Sequence, residues 1–314
     1  MRNSAIAVSG LRKAYGDKIV LDGIDLDVRP GTVFSLLGPN GAGKTTTVNV
    51  LTTLLKADGG SVRVAGHDVA TEATAVRSVI GVTGQFAAVD DLLTGQENLQ
   101  LMADLHHLRA GEGNRMVTSL LARFDLAESA QKLAGTYSGG MRRKLDLAMT
   151  LVTRPQVIFL DEPTTGLDPR SRRTMWDIVR ELVADGVTVF LTTQHLDEAD
   201  QLADQIAVLD QGHLVAEGTP GELKRQAPGS HVRLRFSDLM VLRAAARILT
   251  GSTADDAALT LRVHSDGGVK SLRALLDWLD EHSIDVAEFS VHTPDLDDVF
   301  LALTSHANTE AIAQ

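Results

Sequence analysis

A glycine-rich loop between an apolar run and a helical pattern is the feature that most constrains the fold of this chain. The apolar run covers residues 33–37, and residues 38–45 match the pattern G-x-x-x-x-G-K-[ST]. The helical pattern then covers residues 45–55. This order of strand, loop and helix is the context that a phosphate-binding loop requires. The sequence therefore predicts an α/β fold in which a buried strand leads into a nucleotide site.

The residues of this loop have distinct expected roles. Glycines let backbone N–H groups converge on phosphate oxygens, and the following helix presents its positive end to the same charge. We expect Lys44 to neutralise the β and γ phosphates and the Thr45 hydroxyl to ligate Mg²⁺. The nucleotide-binding residues predicted here are Gly38, Pro39, Asn40, Gly41, Ala42, Gly43, Lys44, Thr45 and Thr46.

An acidic pair follows a second apolar run. Asp161 comes directly after the apolar residues 157–160, so it is predicted to end a buried strand. Open α/β sheets bind their ligands at that edge. The position suits a contact from Asp161 to Mg²⁺ through water, and Glu162 would polarise the attacking water as a catalytic residue.

A Ser-Gly-Gly run lies between these two motifs. In this position it is specific to far fewer protein families than either motif. Ser138, Gly139 and Gly140 open a predicted helix, 94 residues after Lys44 and 23 residues before Asp161. With this run the chain resembles the ATP-binding subunits of ABC transporters, whose signature motif it would be. The resemblance covers essentially the whole chain. It implies an ATPase that uses ATP and Mg²⁺.

The resemblance also implies a partner copy of the chain. In the family the signature residues do not reach the nucleotide of their own subunit, and they close over ATP bound to the opposite one. We therefore expect a homodimer with two composite sites related by a twofold axis. Closure driven by ATP would be coupled to alternating access in a membrane permease.

Further residues match motifs of the family. His195 corresponds to the switch histidine and is expected to be catalytic, holding the water and Glu162 in register. Gln85 matches the glutamine that senses the metal or the γ phosphate, in a loop that touches the permease together with the helical subdomain. Asp168 ends a stretch similar to the D-loop and is expected at the nucleotide. Tyr15 matches the aromatic residue that stacks on adenine.

The basic run Arg142-Arg143-Lys144 follows the signature. We interpret it as part of a helix surface rather than as a site. The alternative that this basic run helps to place the signature helix near phosphate stays open.

The remaining pattern and the resemblance together predict the domain organisation. The expected fold class is a P-loop NTPase of the ABC type, with a mixed-sheet core, an antiparallel β edge and a helical subdomain. The ATP-binding domain is assigned to residues 1–226, with the helical subdomain at about 86–152. A change of pattern at residues 227–230 marks a small C-terminal α/β domain over 227–305, followed by a tail over 306–314.

Composition limits the function classes. The chain of 314 residues carries 30 basic and 41 acidic residues, which gives a net charge of −11 and disfavours nucleic acid as a partner. There is no cysteine, so thiolate chemistry is excluded. No apolar stretch approaches a signal peptide or a membrane span. With the resemblance, this absence implies a peripheral protein at the cytoplasmic face of the membrane, held there by separate permease subunits.

Two segments point to a subtype of the family. Residues 137–148 have the signature form YSGGMRRKLDLA, and residues 294–304 read PDLDDVFLALT. Both resemble the daunorubicin-resistance type of ATP-binding subunit, which implies export of hydrophobic drugs or antibiotics. Lipid, polysaccharide or peptide cargo remain alternatives. A soluble ABC ATPase without a transport role is a further alternative, although the chain lacks the long coiled coil of DNA-repair members and the second cassette of translation factors.

Overall fold

The computed structural model describes residues 4–85, 87–226, 231–249, 251–265, 268–292 and 295–300. The chain divides into two compact units, Met1–Pro220 and Gly221–Gln314. The domain boundary predicted at residues 226 and 227 lies close to this division and stays a prediction. In the parts of the chain that the structure describes, no helix combines the length and the apolarity that a membrane crossing needs.

The described residues of the first unit form ten strands in two sheets. Its strands are β1 (Ile6–Tyr15), β2 (Lys18–Val28), β3 (Val33–Leu37), β4 (Gly59–Val64), β5 (His67–Asp68), β6 (Ile80–Thr83), β7 (Val157–Asp161), β8 (Thr188–Thr193), β9 (Gln205–Asp210) and β10 (His213–Gly218). Four of them form an antiparallel sheet in the order β2-β1-β4-β5. The others form a mixed sheet in the order β10-β9-β3-β8-β7-β6, in which only β10 is antiparallel to its neighbour.

Helices cover both faces of the mixed sheet. The helices of the first unit are α1 (Lys44–Leu51), α2 (Ala73–Val79), α3 (Gly95–Leu105), α4 (Ala110–Arg123), α5 (Gly139–Thr150), α6 (Pro169–Ala184) and α7 (Leu196–Leu202), and α8 (Pro220–Gln226) begins at the division. The expected mixed α/β fold with helical segments between the glycine loop and the Ser-Gly-Gly run is therefore confirmed. The antiparallel strands form a sheet of their own rather than an edge of the mixed sheet.

The mixed sheet separates two apolar cores, because its strands are buried on both faces. Successive residues of β7 and β8 alternate between the cores. Leu160 and Leu191 pack against the core formed with α3 to α6. Phe159 and Phe190 pack against the core formed with the antiparallel sheet and α1, and their ring centroids lie 5.6 Å apart.

The second unit is a four-stranded antiparallel sheet packed against helices. Its elements are β11 (His231–Arg235), α9 (Leu239–Ile248), β12 (Thr253–Asp255), β13 (Thr260–His264), α10 (Val269–Glu281) and β14 (Glu288–His292), with sheet order β12-β13-β11-β14. Residues 296–300 are also helical. These elements form a small α/β unit, as the sequence predicted for this region.

One helix end differs from the sequence prediction. The pattern predicted a helix to residue 55, but α1 ends at Leu51. The reason is local: Thr52 Oγ1 donates to the Val48 carbonyl at 2.8 Å, and Thr53 adopts a left-handed conformation with φ 66°. A threonine hydroxyl that bonds the backbone in this way competes with continuation of the helix.

A capping box fixes the start of α3. The Glu97 N–H donates to Thr94 Oγ1 at 3.1 Å, and the Thr94 N–H donates to Glu97 Oε2 at 2.8 Å. Both N–H groups would otherwise lack partners inside the helix.

Replacing Thr94 by alanine should lower the free energy of unfolding of the first unit by about 1 kcal/mol, because the Glu97 N–H loses its acceptor. Urea unfolding followed by fluorescence of Trp176 measures this, in a Trp278→Phe background that removes the only other tryptophan. Thr118→Ala is the matched control, since its hydroxyl donates to the Asn114 carbonyl within α4 and caps no helix end. Equal destabilisation by the two changes would contradict the role of the cap.

Candidate functional site

The glycine loop connects β3 to α1 at the carboxyl edge of the mixed sheet. Two of its glycines are required by the local geometry. A Cβ atom at Gly38 would lie 2.2 Å from the Leu209 carbonyl oxygen, and one at Gly43 would lie 2.7 Å from Leu21 Cδ2. Gly43 also has φ 113°, a conformation that side chains disfavour. The loop is thus held close to β9 and β2, with its N–H groups at the start of α1.

Lys44 is folded back over its own loop. Its Nζ donates to the carbonyls of Gly38 at 2.8 Å and Pro39 at 3.1 Å. The same Nζ lies 3.4 Å from Glu162 Oε1, and the two side chains are only 5% and 9% exposed. The lysine and the carboxylate that the sequence assigned to catalysis therefore face each other in one nearly enclosed place.

Asp161 ends β7 and joins two neighbouring elements through its carboxylate. Thr45 Oγ1, at the start of α1, donates to Asp161 Oδ2 at 3.0 Å. Thr192 Oγ1 donates to the other oxygen, Oδ1. Thr192 was not predicted as a site residue, although it follows from the parallel register that pairs it with Asp161. A hydroxyl and a carboxylate this close form an oxygen donor set of the kind that Mg²⁺ prefers.

Glu162 leaves the strand in a left-handed conformation, with φ 49°. Non-glycine residues rarely adopt it, and it persists only where surrounding contacts fix it. Here the Glu162 N–H donates to the Thr192 carbonyl at 3.1 Å, and Thr165 Oγ1 donates to Glu162 Oε2 at 3.3 Å. The result is that Asp161 and Glu162 point in different directions, one to Thr45 and the other to Lys44.

His195 lies at the end of β8, where it precedes α7. Its backbone N–H donates to Thr193 Oγ1 at 2.9 Å, and its side chain is half-buried. The structure therefore places His195 at the same carboxyl edge as Asp161, since β7 and β8 are adjacent and parallel. No hydrogen bond among the described residues joins the His195 ring to Glu162.

Glu198, on the first turn of α7, is a buried carboxyl that the sequence analysis missed. Its Oε1 accepts from Thr164 Oγ1 at 2.8 Å and from Trp176 Nε1 at 3.2 Å. Burial raises the pKa of Glu198, and these hydrogen bonds oppose the shift. Glu198 thereby ties α7 to α6 and to the segment that follows Glu162. Its position three residues after His195 was the only available signal.

The Ser-Gly-Gly run opens α5 as predicted. Ser138 is the N-cap residue, and its Oγ accepts from the Met141 N–H at 3.3 Å. A Cβ atom at Gly140 would lie 2.7 Å from Ser171 Oγ, so the starts of α5 and α6 are in close contact. No hydrogen bond or ion pair of the described residues links Ser138, Gly139 or Gly140 to the glycine loop.

Asp168 caps α6. Its carboxylate accepts from the N–H groups of Arg170 at 2.9 Å and Ser171 at 3.0 Å, and from Ser171 Oγ at 2.6 Å. The hydrogen bonds from Ser171 are the main reason why its pKa is lowered. Through Ser171, this cap also sets the surface against which Gly140 packs.

Two expected nucleotide residues lie on the surface. The Tyr15 ring is 52% exposed, with Lys13 Nζ 5.7 Å from its centroid. Gln85 is exposed as well, two residues after the end of β6. The structure leaves both side chains accessible and does not bring either against Lys44.

The interpretation of the basic run after the signature was wrong for one residue. Arg142 lies half-buried and pairs with Asp91, and Lys144 is also only partly covered. Arg143, in contrast, is only 7% exposed. It lies beneath the carboxyl edge of the mixed sheet that carries Asp161 and His195, which we call the catalytic edge. A helix-surface assignment fails because α5 packs against the sheet on the side where Arg143 falls.

Comparison with known proteins gives a consistent result. The profile of the ABC transporter family matches residues 21–165. The chain is 50% identical over 306 residues to "Daunorubicin resistance ATP-binding protein DrrA3" of Streptomyces coeruleorubidus, which covers 97% of each chain. It is 49% identical to "Daunorubicin/doxorubicin resistance ATP-binding protein DrrA" of Streptomyces peucetius, over 96% of this chain and 93% of that protein.

A solved structure described as "Structure of ATP binding subunit of ABC transporter" is similar to the chain as well. It superposes with a TM-score of 0.64 at 27% identity, over 71% of this chain and 93% of that one. The match in fold therefore accompanies the match in sequence.

Glu198→Gln should stabilise the first unit at neutral pH relative to the wild type. The raised pKa means that the folded protein holds the Glu198 proton to higher pH than the unfolded chain does, so stability is lost as pH rises through the shifted pKa. Glutamine keeps the Oε1 acceptor and removes this loss. Urea unfolding between about pH 4 and 7 should show a difference that widens with pH, starting near the ordinary glutamate pKa.

The matched control is Glu181→Gln, an exposed residue of α6. It should leave the pH dependence unchanged. Parallel stability curves for the wild type and Glu198→Gln would contradict a carboxyl whose charge is penalised by burial.

Proposed function

This chain belongs to the ABC transporter family of ATP-binding proteins, and we propose that it is the motor of a drug exporter whose membrane path is formed by a separate permease. Its activity is that of an ABC ATPase, and it binds ATP. One observation carries the assignment of residues to this activity: Lys44 Nζ lies 3.4 Å from Glu162 Oε1, beside the 3.0 Å contact from Thr45 to Asp161.

The described residues fit both ATP and Mg²⁺. The glycine loop offers N–H groups that a Cβ at Gly38 or Gly43 would displace, and Lys44 supplies a cation that can exchange its carbonyl contacts for phosphate oxygens. Thr45 and Asp161 would hold Mg²⁺, with Gln85 from its exposed loop. Mg²⁺ held by these residues would neutralise phosphate charge.

The catalytic work falls to residues around Lys44. Glu162 would orient the attacking water and accept its proton, since its carboxylate lies next to the place where the γ phosphate meets Lys44. His195, at the end of the adjacent strand, would contact the γ phosphate and keep the water in register. Low exposure of Lys44 and Glu162 supports these roles, because charged groups act more strongly where water is excluded.

The active form is proposed to be a homodimer. Ser138 is the N-cap of a helix of 12 residues, and the N-terminus of a helix attracts phosphate. This terminus has no bond to the glycine loop of its own chain among the described residues. A second copy, facing head to tail, would receive it, so that the ATP at Lys44 of one subunit is closed by Ser138 to Gly140 of the other, with Tyr15 stacked on adenine and Asp168 at the interface.

The permease contact is proposed at the Gln85 loop and the helical segment that follows. Three leucines there are exposed: Leu92 by 84%, Leu101 by 42% and Leu105 by 62%. Leu101 and Leu105 are four residues apart on α3 and so lie on one face of it, and clustered exposed apolar side chains mark interaction surfaces. Binding to the permease would hold the protein at the cytoplasmic face of the membrane. The names of its relatives support a daunorubicin-like hydrophobic compound as cargo.

Glu162→Gln should lower kcat for ATP on the order of a hundredfold, because the carboxylate that accepts the proton is lost. Binding of MgATP should persist, and light scattering should then detect a dimer that depends on ATP. Adding Ser138→Arg should abolish this dimer, because the new side chain blocks the closing helix N-terminus.

The control for the second change is Ser119→Arg, at an exposed position of α4. It should leave the dimer intact. In drug-sensitive cells that also make the membrane partner, the wild type should lower daunorubicin accumulation and Glu162→Gln should not. Full ATPase activity in Ser138→Arg would refute the dimer, and equal accumulation with both chains would refute drug export.

A further inference from the structure

Arg143, on the second turn of α5, makes the densest set of side-chain hydrogen bonds near the catalytic edge. Its Nε donates to the Pro163 carbonyl at 2.9 Å, its Nη1 to the Gly84 carbonyl at 2.7 Å and its Nη2 to the Asp161 carbonyl at 3.3 Å. Nη1 also lies 3.3 Å from Asp146 Oδ2. All three nitrogens of the guanidinium therefore have partners.

The three carbonyl acceptors belong to segments that hold proposed site residues. Gly84 precedes Gln85, and the Asp161 carbonyl belongs to the residue whose side chain holds Thr45. Pro163 follows Glu162 directly, so the two carbonyls of Asp161 and Pro163 flank the proposed catalytic acid. The guanidinium thus spans the peptide segment that turns Glu162 out of β7 into its left-handed conformation.

Asp146, one turn further along α5, completes the arrangement. It is 3% exposed, and its Oδ1 accepts from the Ala88 N–H at 3.0 Å. Gly84 and Ala88 lie on either side of Gln85. The Arg143–Asp146 pair therefore anchors both ends of the segment that carries Gln85, and it does so from the helix that Ser138 begins.

Burying this ion pair lowers the stability of the fold unless every polar group in it has a hydrogen-bond partner. Desolvation lowers the pKa of Arg143 and raises the pKa of Asp146, while their mutual attraction opposes both shifts. Replacing a buried ion pair by neutral groups is often harmless to stability. A planar, forked cation at this place is thus better explained by what it positions than by what it stabilises.

We propose that Arg143 is a positioning residue that fixes the signature helix α5 to the Glu162 turn and to the Gln85 segment of the same subunit. This inference rests on the proposed function. Since Ser138 acts on the nucleotide of the other subunit, the guanidinium connects the catalytic acid of one composite site with the closing helix of the second. ATP bound at one site then influences the geometry of the other.

The test compares the neutralisation of two ion pairs. The variant Arg143→Met with Asp146→Asn removes both buried charges and keeps an acceptor for the Ala88 N–H. The control Arg123→Met with Asp185→Asn removes an ion pair between α4 and the end of α6, at residues that have no role in the proposed site. Measurements are urea unfolding, KM and kcat for MgATP, the dependence of rate on ATP concentration, and hydrogen exchange of the Glu162 and Ala88 amides without nucleotide.

We expect the Arg143 pair variant to stay folded in the assay, with an unfolding midpoint that is lowered because three carbonyls lose their donor. KM should stay within about threefold, while kcat falls on the order of tenfold or more because Glu162 is misplaced. The ATPase rate of the wild type should depend sigmoidally on ATP concentration, and the variant should lose this dependence. The Glu162 amide hydrogen of the variant should exchange faster. Arg143→Lys should not restore kcat, because a single ammonium group lacks the forked arrangement of donors with which the guanidinium bonds three carbonyls. The control should match the wild type throughout.

Three results would overturn the proposal: unchanged exchange at Glu162, unchanged kcat, or a kcat loss matched by an equal loss of folding. Failure of the proposed function is a different result, in which the wild type itself hydrolyses no ATP. Hydrogen exchange still decides the positioning role in that case, because it needs no turnover.

Discussion

The catalytic edge depends on the hydrogen bonds that the Asp161 carboxylate accepts. The carboxylate accepts hydroxyl hydrogen bonds from Thr45 at the start of α1 and from Thr192 at the end of β8. Because β7 and β8 are parallel and adjacent, their ends deliver acceptor and donor to one place without a long connecting segment. This single buried group fixes the relative positions of three segments: the glycine loop, the acidic pair and the strand that leads to His195.

Charge in this site is concentrated where water has little access. Lys44 and Glu162 have opposite charges, which lets both remain nearly buried, and the left-handed turn at Glu162 separates its carboxylate from that of Asp161. Two adjacent acids can thus serve different partners. The strain of that turn is offset by hydrogen bonds from its own N–H and from Thr165, and by the carbonyl contacts of Arg143 on either side.

The sequence predicted the parts of the site that depend on local spacing. Residues 38–45, Asp161 and the Ser138 cap could be found because each follows or opens one regular element. Arg143 could not, because a helical pattern does not reveal which face a sheet will cover, and three adjacent basic residues suggest solvent. Glu198 and Thr192 also depend on packing between elements distant in sequence. The early end of α1 depended on one threonine conformation that propensity does not specify.

The central claim is that Ser138 serves the nucleotide of a partner subunit. Mixing two inactive chains tests it most directly: one carries Lys44→Ala and the other Ser138→Arg. In a head-to-tail dimer of the two, one site has both defects and the other has neither, so the mixture should recover ATPase activity up to about a quarter of the wild-type level by random pairing. If each chain used its own Ser138, the mixture would stay as inactive as its components.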